Sequence, residues 1–215
     1  MPAALLLDLD GTLLDTEPLH FEAHRRFLST VGITPSEADL IGNIGKGDVT
    51  FYHDLMLREG KTGDALAWVA RKTAMLVELY AERPVPMRAG TLELLDAAQR
   101  QGVTCLVVTS SERALAAAAL TSAGLASRLP MRVAREDTVR HKPHPEPYLL
   151  AVVRLALSPQ RCLAVEDSAT GVASARTAGC RVVGVAGHIP AEVLRSAGAS
   201  RIISRLDELL PLDDA

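Results

Sequence analysis

The chain has 215 residues, of which 48% are hydrophobic and 23% charged, a composition typical of globular proteins and unlike that of disordered, collagenous or coiled-coil chains. Its 23 basic and 26 acidic residues give a net charge of −3, so no positive excess points to a nucleic-acid partner. Nothing in the sequence resembles a signal peptide or an apolar run of the ~20 residues that cross a bilayer. We therefore expect a cytoplasmic monomer that acts on a small molecule and binds neither nucleic acid nor a membrane.

The three cysteines each lie in or beside an apolar run of the sequence. An odd number of cysteines without CxxC spacing argues against a disulfide framework and against a zinc site. We expect Cys105, Cys162 and Cys180 to be buried thiols in a reducing compartment.

Short apolar runs alternate with amphipathic stretches along most of the chain. Runs that are apolar on both faces favour strands of a buried parallel sheet. The predicted strands are residues 3–7, 105–108, 162–165, 182–185 and 201–203. The predicted helices between them are residues 92–101, 114–123, 147–157 and 169–178. This alternation predicts an α/β core with a doubly wound, Rossmann-like parallel sheet.

A block of about seventy residues after the first strand breaks this alternation, because it contains no strand-like run. Its pattern predicts three or four helices, at about 18–31, 36–41, 48–59 and 63–82. We interpret residues 15–86 as an inserted α-helical cap domain and residues 1–14 and 87–215 as the α/β catalytic core.

Carboxylates follow two of the predicted strands. Asp8 and Asp10 come directly after the first strand, and Glu166 and Asp167 come after the strand at 162–165. Ligands of open α/β sheets bind at this edge. Four carboxylates at one edge would repel one another unless a cation joined them, and Mg²⁺ prefers such oxygen ligands. The pattern therefore predicts a Mg²⁺ site.

The sequence also offers hydrogen-bond donors for an anion near the ends of the predicted strands. Lys142 and the hydroxyl groups of Thr109 and Ser110 can donate hydrogen bonds to an anion. Carboxylates, a cation site and anion donors at one edge indicate phosphoryl transfer, in which positioning and charge neutralisation provide most of the catalysis. A carboxylate can itself be the nucleophile and form an aspartyl-phosphate.

Four motifs in order resemble those of the haloacid-dehalogenase superfamily, specifically its branch of small phosphatases and β-phosphoglucomutase-like enzymes with a helical cap. The first is DLDGTLLDTE at residues 8–17, and the second is the hydroxyl residue Thr109 at a strand end. The third is Lys142 within HKPHP, where the family usually has glycine in place of His141. The fourth is VEDS at residues 165–168, running on to Gly171.

The resemblance implies a catalytic role for four residues. Asp8 would be the nucleophile that accepts the phosphoryl group. Asp10 would protonate the leaving oxygen and then activate the water that cleaves the aspartyl-phosphate. Thr109 and Lys142 would bind the phosphoryl group.

The resemblance also implies the ligands of Mg²⁺, which are the Asp8 side chain, the Asp10 backbone carbonyl and Asp167, with Glu166 as a further ligand through water. Taken one at a time, an aspartate after a strand is often only a helix N-cap, and an acidic residue such as Glu166 often only favours a helix N-terminus. The four motifs together favour the metal site.

Substrate contacts are predicted at His20, Lys46, Lys72, Ser110 and Arg113. The three cap residues occupy positions similar to those that touch the far end of the substrate in capped relatives. A solvated lysine and a histidine with structural hydrogen bonds are the alternatives for these residues. The glycines around Lys46 do not form a P-loop, because no strand precedes them and no Ser or Thr follows the lysine.

The motifs favour a Mg²⁺-dependent phosphatase of a sugar phosphate or phosphoglycolate over three other activities. A β-phosphoglucomutase-like mutase must hold a second phosphate, but Glu112 stands where those enzymes have a lysine, which leaves Arg113 as the substitute. A dehalogenase would need neither Asp10 nor the pair Glu166 and Asp167. A non-catalytic protein on this fold is the third possibility, and the filled catalytic positions argue against it.

Overall fold

The computed structural model describes residues 1–44 and 47–212, which form two units. The larger unit comprises Met1–Asp15 and the chain from Pro86 onward, and the smaller comprises Thr16–Val85. Asp15 and Pro86, which the sequence analysis placed in the smaller unit, belong to the larger one. The Asp15 N–H donates to the Pro86 carbonyl (2.8 Å) at this junction.

A six-stranded parallel sheet forms the centre of the larger unit. Its strands are β1 (Ala4–Leu7), β2 (Thr104–Val108), β3 (Arg132–Val133), β4 (Cys162–Glu166), β5 (Arg181–Val185) and β6 (Arg201–Ile203). The strand order is β3-β2-β1-β4-β5-β6, which confirms the predicted doubly wound parallel sheet. The sequence pattern missed β3, because two residues are too few to show a period.

The helices of the larger unit connect successive strands. They are α5 (Thr91–Arg100), α6 (Arg113–Ser122), α7 (Glu146–Arg154), α8 (Ala169–Thr177) and α9 (Ala191–Ala197). Short 3₁₀ helices span Arg135–Asp137, Pro159–Arg161 and Leu206–Leu209. The sequence pattern did not predict α9, and the predicted 147–157 helix ends earlier, at Arg154.

The central strand β1 is buried along its whole length. In its register Leu7 lies between Val107 of β2 and Val165 of β4. The carboxyl ends of these three strands therefore meet at one point of the sheet edge. This is why the residues that follow each strand come together although they are far apart in sequence.

Four helices form the smaller unit: α1 (Glu17–Thr30), α2 (Glu37–Asn43), α3 (Asp48–Arg58) and α4 (Ala65–Glu82). Edge-to-face contacts join the rings of Phe27, Tyr52 and Trp68, with centroids 5.3–5.7 Å apart. Such contacts between buried rings add to the stability gained from their burial. Among the described residues of both units, no helix is long and apolar enough to span a membrane.

Candidate active site

The candidate active site lies at the carboxyl ends of β2, β1 and β4. Asp8 follows β1, and its N–H donates to the Val165 carbonyl of β4 (3.0 Å). Thr109 follows β2, and Glu166 is the last residue of β4. The backbone hydrogen bonds of the sheet thus set the starting points of all three side chains.

Lys142 lies in the middle of this group and is almost fully buried, with 4% of its side chain exposed. Its Nζ donates to Asp8 Oδ1 (2.7 Å), to Glu166 Oε1 (2.5 Å) and to the Val108 carbonyl (2.8 Å). An ammonium group has three N–H donors, and each of them has a partner here. The amine is therefore held in one position between two carboxylates.

The pKa values of both Asp8 and Lys142 are raised, and in each residue burial and the neighbouring charges act in opposite directions. Burial raises the pKa of Asp8 to about 7, although the charge of Lys142 acts to lower it. Burial by itself would lower the pKa of Lys142, but the charges of Asp8 and Glu166 hold that pKa above its ordinary value. Lys142 is therefore charged throughout the physiological range, and additional positive charge beside Asp8 would favour its ionised form.

Glu166 is completely buried. Besides Lys142 and the VEDS motif, it is fixed by Tyr148, a residue that the sequence analysis did not single out. The hydroxyl group of Tyr148 donates to Glu166 Oε1 (2.8 Å), and the Ser168 hydroxyl donates to Oε2 (3.0 Å). A Cβ atom at Gly171 would overlap the Glu166 carboxylate, so this position requires glycine. Tyr148 occupies an apolar position of α7, and only the tertiary structure shows that its hydroxyl group reaches Glu166.

The Asp10 carboxylate contacts the loop that follows β2. The Ser111 hydroxyl donates to Asp10 Oδ2 (2.6 Å), and the Thr109 hydroxyl lies 3.5 Å from the same oxygen. The Ser111 N–H in turn donates to the Thr109 hydroxyl (3.0 Å). Ser110, the predicted substrate contact, is exposed. The serine that meets Asp10 is therefore Ser111, which the sequence analysis did not select.

The acidic residues fit a divalent cation. Asp8, Glu166 and Asp167 each offer a carboxylate oxygen, and the three oxygens lie within 4.8 Å of one another. Gly11 has a φ of +79°, and a Cβ atom there would overlap the Asp167 carboxylate. Three carboxylates beside the single ammonium of Lys142 give an excess of negative charge, and an all-oxygen ligand set suits Mg²⁺.

Two of the predicted cap residues, His20 and Lys72, contact each other inside the smaller unit. Lys72 of α4 is buried, and its Nζ donates to Asp48 Oδ2 (2.8 Å) and lies 2.9 Å from His20 Nδ1. The alternative that Lys72 is a solvated helix-face lysine is therefore wrong. Lys46, the third predicted cap residue, lies outside the described residues.

The partner of Lys72, Asp48, belongs to a buried polar cluster that the sequence analysis missed. His24 Nε2 lies 3.4 Å from Asp48 Oδ1, and His24 Nδ1 lies 2.7 Å from the Tyr52 hydroxyl oxygen. Burial would raise the pKa of Asp48, but His24 and Lys72 hold it far below its ordinary value. Asp48 is thus a carboxylate that stays ionised inside the helical unit.

Replacement of Lys72 by methionine is expected to destabilise the smaller unit by about 2 kcal/mol, because Asp48 would lose its ammonium partner. Urea unfolding followed by fluorescence of Trp68, the one tryptophan of the chain, measures this change directly. Lys61→Met, at an exposed position, is the matched control. Adding Asp48→Asn to Lys72→Met should recover part of the loss, and an unchanged midpoint for Lys72→Met would contradict the prediction.

Arg113, the remaining predicted substrate contact, is the first residue of α6. Its Nη2 donates to Asp137 Oδ1 (2.6 Å), and its backbone N–H donates to the Glu136 carboxylate (2.9 and 3.0 Å). The guanidinium group therefore already has an acidic partner near β3.

The comparisons with known proteins agree with this geometry. A family profile described as haloacid dehalogenase-like hydrolase matches residues 2–179. Protein CbbY of Rhodobacter capsulatus is 34% identical over 189 residues, which cover 84% of this chain and 83% of that protein. Hexitol phosphatase A of Escherichia coli (strain K12) is 32% identical over 206 residues, which cover 95% and 91%. A mutant of CbbY from Rhodobacter sphaeroides in complex with xylulose-(1,5)bisphosphate superimposes with a TM-score of 0.85 at 27% identity, over 97% of this chain and 96% of that one.

Proposed function

Because the chain belongs to the haloacid dehalogenase-like hydrolase family, we propose that it is a Mg²⁺-dependent phosphatase that hydrolyses a small phosphomonoester. The observation that carries the proposal is the buried position of Lys142 between Asp8 and Glu166, beside the carboxylate of Asp167. This group combines a carboxylate nucleophile, an anion-binding ammonium and oxygen ligands for a cation. Those are the parts that phosphoryl transfer requires.

In the proposed first step, a carboxylate oxygen of Asp8 attacks the phosphorus atom, and the bond from phosphorus to the leaving oxygen breaks. Asp10 gives its proton to that oxygen, so the product leaves as a neutral alcohol. The charge of Lys142 attracts the phosphoryl oxygens during the transfer, and the Thr109 hydroxyl donates a hydrogen bond to one of them. Asp8 then carries the phosphoryl group as an aspartyl-phosphate.

In the proposed second step, Asp10 is a carboxylate and takes a proton from a water molecule. The water oxygen attacks phosphorus, and the bond between phosphorus and Asp8 breaks. Inorganic phosphate is released, the Asp8 carboxylate is restored, and Asp10 is protonated for the next cycle. The Ser111 hydroxyl, 2.6 Å from Asp10 Oδ2, supports this assignment because it orients the group that moves the proton.

We propose that the side chains of Asp8 and Asp167 and the Asp10 backbone carbonyl hold Mg²⁺, with Glu166 acting through water. When bound, the cation offsets the negative charge of the phosphoryl group and of the carboxylates. The raised pKa of Asp8 supports this proposal, because nearby positive charge favours the ionised form that attacks phosphorus.

We propose a sugar phosphate as the substrate class. The E. coli relative is named a hexitol phosphatase, and the CbbY structure holds a sugar bisphosphate. We assign the smaller unit, Thr16–Val85, the role of a cap that selects the leaving group through His20, Lys46 and Lys72, with Ser110 as a further substrate contact. Because Lys72 is already paired with Asp48, a hydroxyl-rich leaving group suits it better than a second phosphate.

The same reasoning favours hydrolysis over a mutase reaction. A mutase must bind a second phosphate group, and Arg113 is the residue that would replace the missing lysine. Its guanidinium group is engaged by Asp137 at 2.6 Å, which supports the phosphatase assignment.

A phosphorus NMR time course tests the proposal. The panel contains hexitol phosphates, ketose phosphates, phosphoglycolate, and β-glucose 1-phosphate with a trace of glucose 1,6-bisphosphate. With Mg²⁺ present we expect inorganic phosphate to grow at the expense of a sugar phosphate. Treatment with EDTA should abolish turnover, and added Mg²⁺ should restore it.

Two outcomes would contradict this function. Conversion of β-glucose 1-phosphate to glucose 6-phosphate without free phosphate would identify a mutase. Full activity in EDTA would remove the metal from the proposal.

A further inference from the structure

A cavity of about 500 Å³ lies beside β3, the edge strand of the sheet. Three arginines and four apolar residues line it: Arg113, Arg132 and Arg154, with Leu106, Ala117, Pro130 and Met131. The volume falls within the range of small-molecule sites, which are typically apolar with a few placed polar groups. Lys142 and the carboxylates around it do not line this cavity.

Two of the arginines are held side by side by one carboxylate. Arg113 of α6 and Arg154 of α7 both donate to Asp137 Oδ1, at 2.6 and 2.8 Å. The other oxygen of Asp137 accepts from the Ala134 N–H (2.8 Å). Asp137 therefore fixes two guanidinium groups from different helices, but it balances the charge of only one.

The third arginine adds positive charge. Among residues 1–44 and 47–212, no carboxylate lies within ion-pair distance of the Arg132 guanidinium. The Glu136 carboxylate accepts from the backbone N–H of Arg113 and keeps its negative charge. Three guanidinium groups against Asp137 and Glu136 leave a local excess of one positive charge in a chain whose net charge is −3. Guanidinium groups bind carboxylates and phosphates through paired hydrogen bonds.

Protection of the sheet edge is a second role open to these arginines, because charged side chains at an edge strand prevent pairing with another sheet. It accounts for Arg154, whose Nη1 donates to the Arg132 carbonyl (2.5 Å). It also accounts for the charged side chain of Arg132, which belongs to the edge strand itself. It does not account for the apolar residues Leu106, Ala117 and Met131 that line the cavity together with the arginines.

We propose that this cavity is a second small-molecule site, which binds an organic anion. A phosphate or carboxylate group is held by Arg132, and an apolar part of the ligand lies against Ala117 and Met131. The site is separate from the group around Lys142 and does not depend on the proposed function.

Titration of the ¹⁵N-labelled protein with phenylphosphonate tests the proposal, since amide shifts locate the bound molecule. The expected shifts are at Ala117, Met131 and Arg132. Arg132→Gln should weaken binding about tenfold, the effect of losing one charge-assisted hydrogen bond pair. Met131→Glu, at an exposed side chain, should do the same by repulsion. Arg100→Gln, an exposed arginine of α5, is the matched control and should leave binding unchanged.

Separate titrations with benzoate and with inorganic phosphate distinguish the possible ligands. Binding of phenylphosphonate or benzoate with shifts in the cavity, and weaker binding of inorganic phosphate, supports an organic anion. Equal affinity for inorganic phosphate would overturn that assignment. Shifts confined to the residues around Lys142, or equal weakening by Arg100→Gln, would overturn the site itself.

Discussion

Replacement of Asp8 by asparagine is expected to reduce phosphatase turnover by roughly 10⁴-fold or more, because an amide cannot accept the phosphoryl group. The fold should survive, since Lys142 keeps its bonds to Glu166 and to the Val108 carbonyl. Release of inorganic phosphate from the best substrate of the NMR panel measures the loss. Mass spectrometry of the quenched protein should show no added phosphoryl group.

A variant of Asp10 distinguishes the role of the acid–base group from that of the nucleophile, Asp8. Asp10→Asn keeps Asp8 but removes the group that activates water, so the aspartyl-phosphate should form slowly and persist long enough to be detected. Asp96→Asn, at an exposed carboxylate of α5, is the matched control for the substitution itself.

For the Asp8→Asn variant, a turnover of more than about one hundredth of the wild-type value would contradict the proposed mechanism.

Replacement of Lys142 by methionine is expected to abolish measurable turnover and to lower the free energy of unfolding by about 3 kcal/mol. The substitution leaves two buried carboxylates without the ammonium group that links them. Denaturant unfolding in EDTA, with Lys61→Met as the control, measures the change in stability. Unchanged stability would show that the ion pairs of Lys142 do not hold this part of the core together.

The stability loss in Lys142→Met should also depend on pH. The pKa of Asp8 in the folded protein is already raised to about 7, and removing Lys142 raises it further. A group whose pKa is raised by folding favours the folded state at low pH, and that contribution is lost as the pH rises through the folded pKa. The loss should therefore be larger at pH 8 than at pH 5. Equal losses at both values would contradict this interpretation of Asp8.

Much of the architecture follows from local pattern. β1 and β4 are apolar on both faces because both faces are covered, so their sequences predict buried strands directly. The polar residues after these strands predict the edge at which they lie, since parallel strands end together. The sequence pattern did not predict strand β3 or helix α9. Such short elements show little periodicity, and tertiary contacts provide most of their stability.

The partners within the site were decided by the tertiary structure. Ser111 rather than Ser110 meets Asp10, because the direction of a side chain after a strand depends on how the loop turns. Tyr148 looks like an apolar core residue until its hydroxyl group is seen 2.8 Å from Glu166. In the smaller unit, the sequence offered Lys72 as a substrate contact or as a solvated lysine, and neither reading includes the ion pair that it forms with Asp48 of α3.

By itself, the sequence determined which residue types stand at the ends of the strands, and so the chemistry that this sheet edge can support. Secondary structure and the order of motifs depend on neighbours along the chain, and these can be read directly. Only the tertiary structure decided that Lys142 reaches both Asp8 and Glu166, residues that are distant from it in sequence. Such contacts depend on strand order and helix packing, which are properties of the whole chain and have no signal in any one segment.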